Sequence, residues 1–515
     1  MPSKILSATI SGLDAKLIEV EVDVSNGLHS FNIVGLPDKA VEESKERVGY
    51  AIKNCGLKPP RYQNQKVIIN LAPADIKKHG PAYDLPIALG YLRATEQIKN
   101  FQTDDKLFVG ELSLDGNLRP ANGILPIAIF AKKTDKTLFL PSQNFEEANI
   151  VSELKIVAVE NLQDLINYLG ENNATNNKQK ITIGSGIEKS QLNQNYDLDM
   201  ENIHGQETAK RALEIAASGA HNILMSGTPG AGKTLLAKTL PSILPPLTEK
   251  EVLEITKIYS IAGLLSENQP FVSCRPFRNP HHSASAIALC GGGANPKPGE
   301  ISLAHRGILF LDEFLEFPRH ALETLRQPLE SGEIQISRAQ SAITFPARFM
   351  LVAAQNPCPC GYFESDQKPC ICTQSQISKY QRKLSGPLLD RIDIHINVPN
   401  VQLEKLHSNN KSEPSEKIRE RVINARNIQL KRFNPPVGGE KILTNTEMSS
   451  NQIKKYCILD APTKNLFLKA ANSLKLSARS FHKILKLSRT IADLDASENI
   501  KDYHITEALQ YRQQG

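Results

Sequence analysis

Eight consecutive residues, Gly227, Thr228, Pro229, Gly230, Ala231, Gly232, Lys233 and Thr234, have types and spacing suited to one job. Glycines at 227, 230 and 232 carry no Cβ to hold a phosphate off the backbone, so successive N–H groups can wrap a diphosphate. The Lys233 ammonium reaches the β/γ oxygens and the Thr234 hydroxyl ligates Mg²⁺. The pattern G-x-x-x-x-G-K-T is that of a P-loop, and ATP with Mg²⁺ is the expected cofactor. Two carboxylates end the apolar run Gly307-Ile-Leu-Phe-Leu. Asp312 would hold Mg²⁺, directly or through water, and Glu313 would polarise the attacking water. Asn356, at the end of Phe349-Met-Leu-Val-Ala-Ala-Gln, is a neutral amide that could orient the same water. Arg391 and Arg479 offer guanidinium forks for charge developing on a γ-phosphate, or serve ordinary ion pairs.

Such side chains work only if regular elements bring them together. An apolar strand, Ile223-Leu-Met-Ser, runs into the loop, and a helix from Leu235 follows it. The strand ending at Leu311 is expected to lie beside it in a doubly wound parallel sheet, whose ligands bind at the carboxyl ends of the strands. Residues 1–170 mix short β-type runs, such as the period-two Leu17-Ile-Glu-Val-Glu-Val-Asp-Val24, with helical stretches, and read as an α/β or α+β domain. Residues 171–199 turn to Asn, Gln, Lys, Ser and Gly and read as a linker. Residues 200–404 form the ATPase core and 405–515 are helical, so the fold class is α/β multidomain. In the last region Phe481, Ile484, Leu485 and Ile491 share one helix face while His482, Lys483, Lys486 and Arg489 occupy the other. That basic face would either meet a polyanion or simply be solvated.

The 515 residues are enough for roughly three domains. No apolar run approaches the roughly 20 residues of a membrane span, and Met1-Pro-Ser-Lys lacks a signal-peptide pattern, so no membrane partner and a cytoplasmic location are expected. Residues 405–515 hold 20 Lys and Arg against 11 Asp and Glu, while the whole chain carries only +6. The basic excess is therefore C-terminal, which suits a polyanion or a solvated surface equally. Eight cysteines are no disulfide framework in so long a chain. Cys358, Cys360, Cys370 and Cys372 cluster as C-x-C-x₉-C-x-C, and four thiolates so spaced can close a structural tetrahedral Zn²⁺ site, or remain reduced and unliganded.

The chain resembles the magnesium-chelatase-like AAA+ ATPases, and most closely the ComM (YifB) family. The resemblance spans nearly the whole length and includes the residues above, Arg278-Asn-Pro-His-His282, Gly291-Gly-Gly-Ala-Asn-Pro-Lys-Pro-Gly-Glu300, Gln355-Asn-Pro-Cys-Pro-Cys-Gly361, Leu-Leu-Asp-Arg391 and Ser-Ala-Arg479. Residues 80–90 and 109–120 are similar to the protease domain of Lon, but Ala82 stands where that family has its nucleophilic Ser and Leu125 where it has its Lys, so the N-terminal domain is expected to be non-proteolytic. The resemblance implies a homo-hexameric ring, Arg391 as an arginine finger acting in trans, Arg479 as a second sensor, adenine contacts near Ile203-His-Gly-Gln206, and a C-terminal helical lid. It also implies movement on single-stranded or branched DNA as a branch-migration helicase during integration of transforming DNA. Two insertions, 281–304 with Lys297 and 332–345 with Arg338, would then face the pore and pair with phosphates. The runner-up is a chelatase-type protein-remodelling ATPase; since the resemblance implies that chelatase subunits lack the Lon-like domain, that domain is expected to favour the DNA motor.

Overall fold

The period-two run near the N-terminus builds a strand with one buried face. Strands β1 (Ser3–Ser11), β2 (Asp14–Asn26), β3 (Ser30–Val34) and β4 (Gln65–Ala72) pair in the order β1-β2-β4-β3. Ile18, Val20 and Val22 are buried, whereas Glu19 and Glu21 occupy the other face. The computed structural model describes residues 2–62, 64–170, 181–187, 196–293, 296–337, 342–365, 368–400, 412–434 and 442–512. It divides into two compact units, Met1–Leu192 with Glu249–Ser273, and Asn193–Thr248 with Cys274–Gly515.

In the first unit the helix Asp84–Ala94 covers the buried face of the sheet, and Asp84 accepts hydrogen bonds from Arg47 Nε (2.6 Å) and Leu112 N (3.2 Å). After strand β5 (Lys106–Phe108) comes a hairpin of β6 (Glu111–Leu112) and β7 (Leu118–Arg119). The strands β8 (Thr137–Pro141), β9 (Lys155–Val159) and β10 (Thr182–Ile183) then complete a second sheet ordered β10-β9-β8-β5. Leu125 is fully buried on the helix Ile124–Lys133, and its backbone N–H donates to Glu147 Oε1 at 2.9 Å. Neither Ala82 nor Leu125 supplies a nucleophile or a base.

The same Glu147 oxygen accepts from Ser260 Oγ at 2.5 Å. Residues 249–273 thus belong to the first unit, although they follow the P-loop helix in sequence. Leu253 and Phe271 pack against the cluster that contains Ile124, Ile127, Leu138 and Leu140. The stretch 200–404, read from the sequence as continuous, is interrupted there because its apolar side chains find their burial in the N-terminal core.

The second unit contains β11 (Ile223–Ser226), β12 (Phe277–Arg278), a short hairpin of β13 (Gly291–Gly292) and β14 (Lys297–Pro298), β15 (Ile308–Leu311), a second hairpin of β16 (Glu333–Ser337) and β17 (Ala342–Pro346), β18 (Met350–Gln355) and β19 (Ile394–Asn397). Five of these form a parallel sheet ordered β12-β15-β18-β11-β19. Ile308–Leu311 and Met350–Ala354 are buried throughout, as expected of parallel strands covered on both faces. One sequence expectation is corrected: β15 does not adjoin the P-loop strand, because β18 lies between them and pairs with both.

Helices Ser415–Arg432, Ala461–Ser473, Ala478–Leu494 and Asp502–Gln510 share an apolar cluster with that sheet, in which Ile418, Val422, Ile484 and Ile491 join Ile223, Met225 and Ile394. The basic face expected on Ala478–Leu494 is neither a polyanion surface nor a solvated one. Arg489 is 3% exposed and bonds Asp493, Lys483 donates to Ile392 O and Lys486 to Thr446 O. The cations cap carbonyls and carboxylates inside the unit, since an uncompensated buried group is costly. Lys297 is exposed on β14, whereas Arg338 lies outside the described residues. Among the described residues no helix is long and apolar enough to cross a membrane.

Candidate nucleotide site and cysteine cluster

Strand β11 ends at Ser226 and the helix Lys233–Ile243 begins directly after the loop. Gly230 and Gly232 have φ of +79° and +84°, a region other residues enter at a cost of roughly 1 kcal/mol. This reversal lets the chain present its amides and the first free N–H groups of the helix on one side. Lys233 is 8% exposed. Its Nζ donates to Gly227 O (2.7 Å), Thr228 O (2.9 Å) and Asn356 Oδ1 (3.1 Å). Burial lowers the Lys233 pKa, with Asp312 opposing the shift.

Strand β18 lies between β11 and β15, and Asn356, directly after it, is the residue that meets Lys233. Thr234 Oγ1 donates to Asp312 Oδ2 at 2.7 Å, so a hydroxyl and a carboxylate converge as a hard, oxygen-rich Mg²⁺ site requires. Glu313 follows in a left-handed conformation, φ +51°, and its backbone N–H donates to Asp312 Oδ1 at 2.9 Å. Thr228 Oγ1 donates to Asn400 Oδ1 at 2.8 Å. Gln206, from the stretch expected near adenine, donates through Nε2 to Ala231 O at 2.5 Å and so abuts the P-loop.

One contact of this site was not read from the sequence. His282 Nδ1 lies 2.9 Å from Glu313 Oε2, and the His281 ring lies tilted by 33° against His282 with centroids 4.1 Å apart. Arg278 grips Glu300 with two bonds, 2.6 and 2.8 Å, closing the base of the insertion that His282 opens. The His-His pair was visible in the sequence, but nothing local ties it to a carboxylate thirty-one residues later.

Arg391 and Arg479 are brought together elsewhere. Arg391 pairs with Glu330, donates to Pro387 O at 2.6 Å, and is only 9% exposed in its side chain. The Arg391 hydrogen bond, helped by the charge of Arg479, holds the Glu330 carboxyl below its ordinary pKa. Among the described residues no hydrogen bond or ion pair joins either arginine to Lys233, Thr234, Asp312, Glu313 or Asn356.

The four clustered cysteines converge. Sγ separations are 3.4 Å for Cys358–Cys360, 3.8 Å for Cys358–Cys370 and 3.6 Å for Cys360–Cys370, and all four sulfurs lie within 4.8 Å of one another. A backbone N–H from Tyr362 is the main cause lowering the Cys360 thiol below its ordinary pKa.

Comparison with known proteins agrees with this geometry. Family models described as magnesium chelatase subunit ChlI, subunit ChlI of Mg-chelatase, and magnesium chelatase subunit ChlI C-terminal match residues 199–406, 20–144 and 412–512 respectively. The second match covers the N-terminal region, so that region does not separate a DNA motor from a chelatase in the way the sequence suggested. Competence protein ComM of Haemophilus influenzae is 42% identical over 514 residues, covering 99% of this chain and 97% of its own. YifB of Salmonella typhimurium is 39% identical, covering 97% and 95%. The magnesium-chelatase 38 kDa subunit of Rhodobacter capsulatus is 30% identical over 171 residues, only 30% of this chain. Full-length identity at this level, joined to a P-loop whose Thr234 meets Asp312, makes the chain a member of the ComM (YifB) family of magnesium-chelatase-like AAA+ ATPases.

Proposed function

We propose that this protein is an ATP-driven, ring-forming DNA motor that migrates DNA branches while transforming DNA is integrated. The observation that supports its ATPase step is the convergence of Lys233, Thr234, Asp312 and Asn356 at the carboxyl ends of β11, β15 and β18. ATP is the substrate, and Mg²⁺, if held at Thr234 and Asp312, would neutralise phosphate charge. Lys233 and the loop amides bind the phosphates, Thr234 and Asp312 hold the cation, Glu313 accepts the proton of the attacking water, and Asn356 orients it. Cys358, Cys360, Cys370 and Cys372 would hold a structural Zn²⁺. The H. influenzae relative is a competence protein, which supports a role on incoming DNA. Residues 1–170 serve as a non-proteolytic Lon-like module, 171–199 as a linker that lends β10 to that module's second sheet, 200–404 apart from 249–273 as the AAA+ core and 405–515 as a helical lid, in the cytoplasm.

Six copies form the ring. Arg391 leaves Glu330 to reach the γ-phosphate of a neighbouring subunit, and Arg479 senses the nucleotide in its own. Lys297 and, from its sequence position, Arg338 contact backbone phosphates, which makes the grip independent of sequence and weaker in salt. The chelatase models favour a second function, remodelling of a protein partner by the same ATPase.

Strand displacement on a three-stranded DNA separates the two. The wild type should displace the strand with ATP and Glu313→Gln should not; ATP turnover indifferent to DNA, with no strand moved, would reject the motor. In the same assay Lys233→Ala and Arg391→Ala are each inactive, and a mixture recovers part of the activity if the site is shared between subunits. No recovery at any ratio rules out action in trans.

A further inference from the structure

We propose that the zinc centre of Cys358, Cys360, Cys370 and Cys372 holds the P-loop in its nucleotide-binding shape, so that metal loading sets nucleotide affinity. Tetrahedral thiolates at a Zn–S distance of about 2.3 Å stand about 3.8 Å apart, and bonded sulfurs in a disulfide only about 2.0 Å. The separations of 3.4 to 3.8 Å among Cys358, Cys360 and Cys370 fit the former. Soft thiolates also exclude the Mg²⁺ that serves the phosphates.

Among the described residues of 357–372 only Cys358 and Gly361 are buried, and Ile371 is 84% exposed. A segment with so little apolar burial has no core to define its shape, and a metal cross-link supplies one. Two routes lead from it to the phosphate site. Along the chain, Cys358 lies two residues beyond Asn356, whose Oδ1 accepts from Lys233 Nζ at 3.1 Å. Through space, Gly361 turns back on the P-loop. Its N–H donates to Cys358 O at 3.0 Å, its φ is +85°, and a Cβ there would stand 2.6 Å from both Cγ and Cδ of Pro229 and 3.9 Å from Asn356 Cγ. The turn made by the first two cysteines therefore presses backbone against the middle of the P-loop, in a position only glycine fills without displacing Pro229. Release of the metal frees that turn, and Pro229 and Asn356 lose their support together.

The inference rests on nucleotide binding by the P-loop and not on DNA, so the test omits DNA. The full chain, purified without chelator and kept reduced, is analysed for metal and titrated with a fluorescent ADP analogue in Mg²⁺. About one zinc per chain is expected. Chelation followed by removal of the chelator should weaken ADP binding about tenfold, and one equivalent of Zn²⁺ should restore it; misplacement of supporting groups by about 1 Å has effects of this size or larger. Gly361→Ala should keep its zinc and show the same loss, which separates contact with Pro229 from any folding defect of a cysteine variant. Lys233→Ala binds weakly whatever its metal content and fixes the floor of the assay. Iron or no metal in the purified protein overturns the zinc assignment. Equal ADP affinity in the stripped and loaded forms, or normal affinity in zinc-loaded Gly361→Ala, overturns the coupling.

Discussion

His282→Ala should raise ATP turnover measured without DNA. Glu313 must offer a carboxylate oxygen to water, yet its Oε2 is engaged by His282 Nδ1 at 2.9 Å. The side chains are 37% and 55% exposed, which puts the pair in the range of a partly solvated contact, about 0.2–1 kcal/mol. If that energy must be surrendered before Glu313 turns to water, its removal raises kcat by about 1.4- to 5-fold and leaves KM for ATP in place. His282→Gln, which can still donate to Glu313, should fall between the wild type and the alanine variant. Steady-state phosphate release with saturating Mg-ATP reads the effect, with Glu313→Gln as the inactive control. A fall in kcat on His282→Ala would refute the reasoning, since His282 would then be aiming the carboxylate rather than restraining it.

Two further outcomes follow from buried charge. Asp493 is fully buried and accepts from Arg489 Nε (3.0 Å), Arg432 Nη1 (2.8 Å) and Asn445 Nδ2 (2.8 Å), so Asp493→Ala strands two cations and should cost about 3–5 kcal/mol in denaturant unfolding. A loss below about 1 kcal/mol would show that water or another anion replaces the carboxylate. Burial, with Lys483 nearby, lowers His395 on β19 to about 4. The unfolded chain takes up this proton near pH 6.5 and the folded chain does not, so the contribution of His395 is intact above about 6.5 and is lost as pH falls towards 4. Thermal melts between pH 7.5 and 4.5 should show a shallower decline for His395→Gln than for the parent, and parallel declines would remove His395 as a cause.

The residues of the candidate nucleotide site were legible in the sequence because each of its parts is contiguous. A glycine loop with its lysine and threonine, and carboxylates or an amide ending apolar strands, are recognised by neighbours a few residues away. The cysteine cluster was legible for the same reason, since short spacing forces the sulfurs together whatever the surrounding fold. Strand order was not. Nothing in Ile308–Leu311 or Met350–Gln355 says which adjoins β11, because both are buried apolar runs and either would satisfy the same hydrogen bonds. The fate of Lys483, Lys486 and Arg489 also needed the fold: a helix pattern puts cations on one face but does not reveal that carbonyls and Asp493 wait there. The attachment of 249–273 to the N-terminal unit, the meeting of His282 with Glu313 and the pressure of Gly361 on Pro229 are likewise decisions of tertiary structure. They join residues distant in sequence, and such contacts are selected by the burial and pairing available across the whole chain rather than by any local preference.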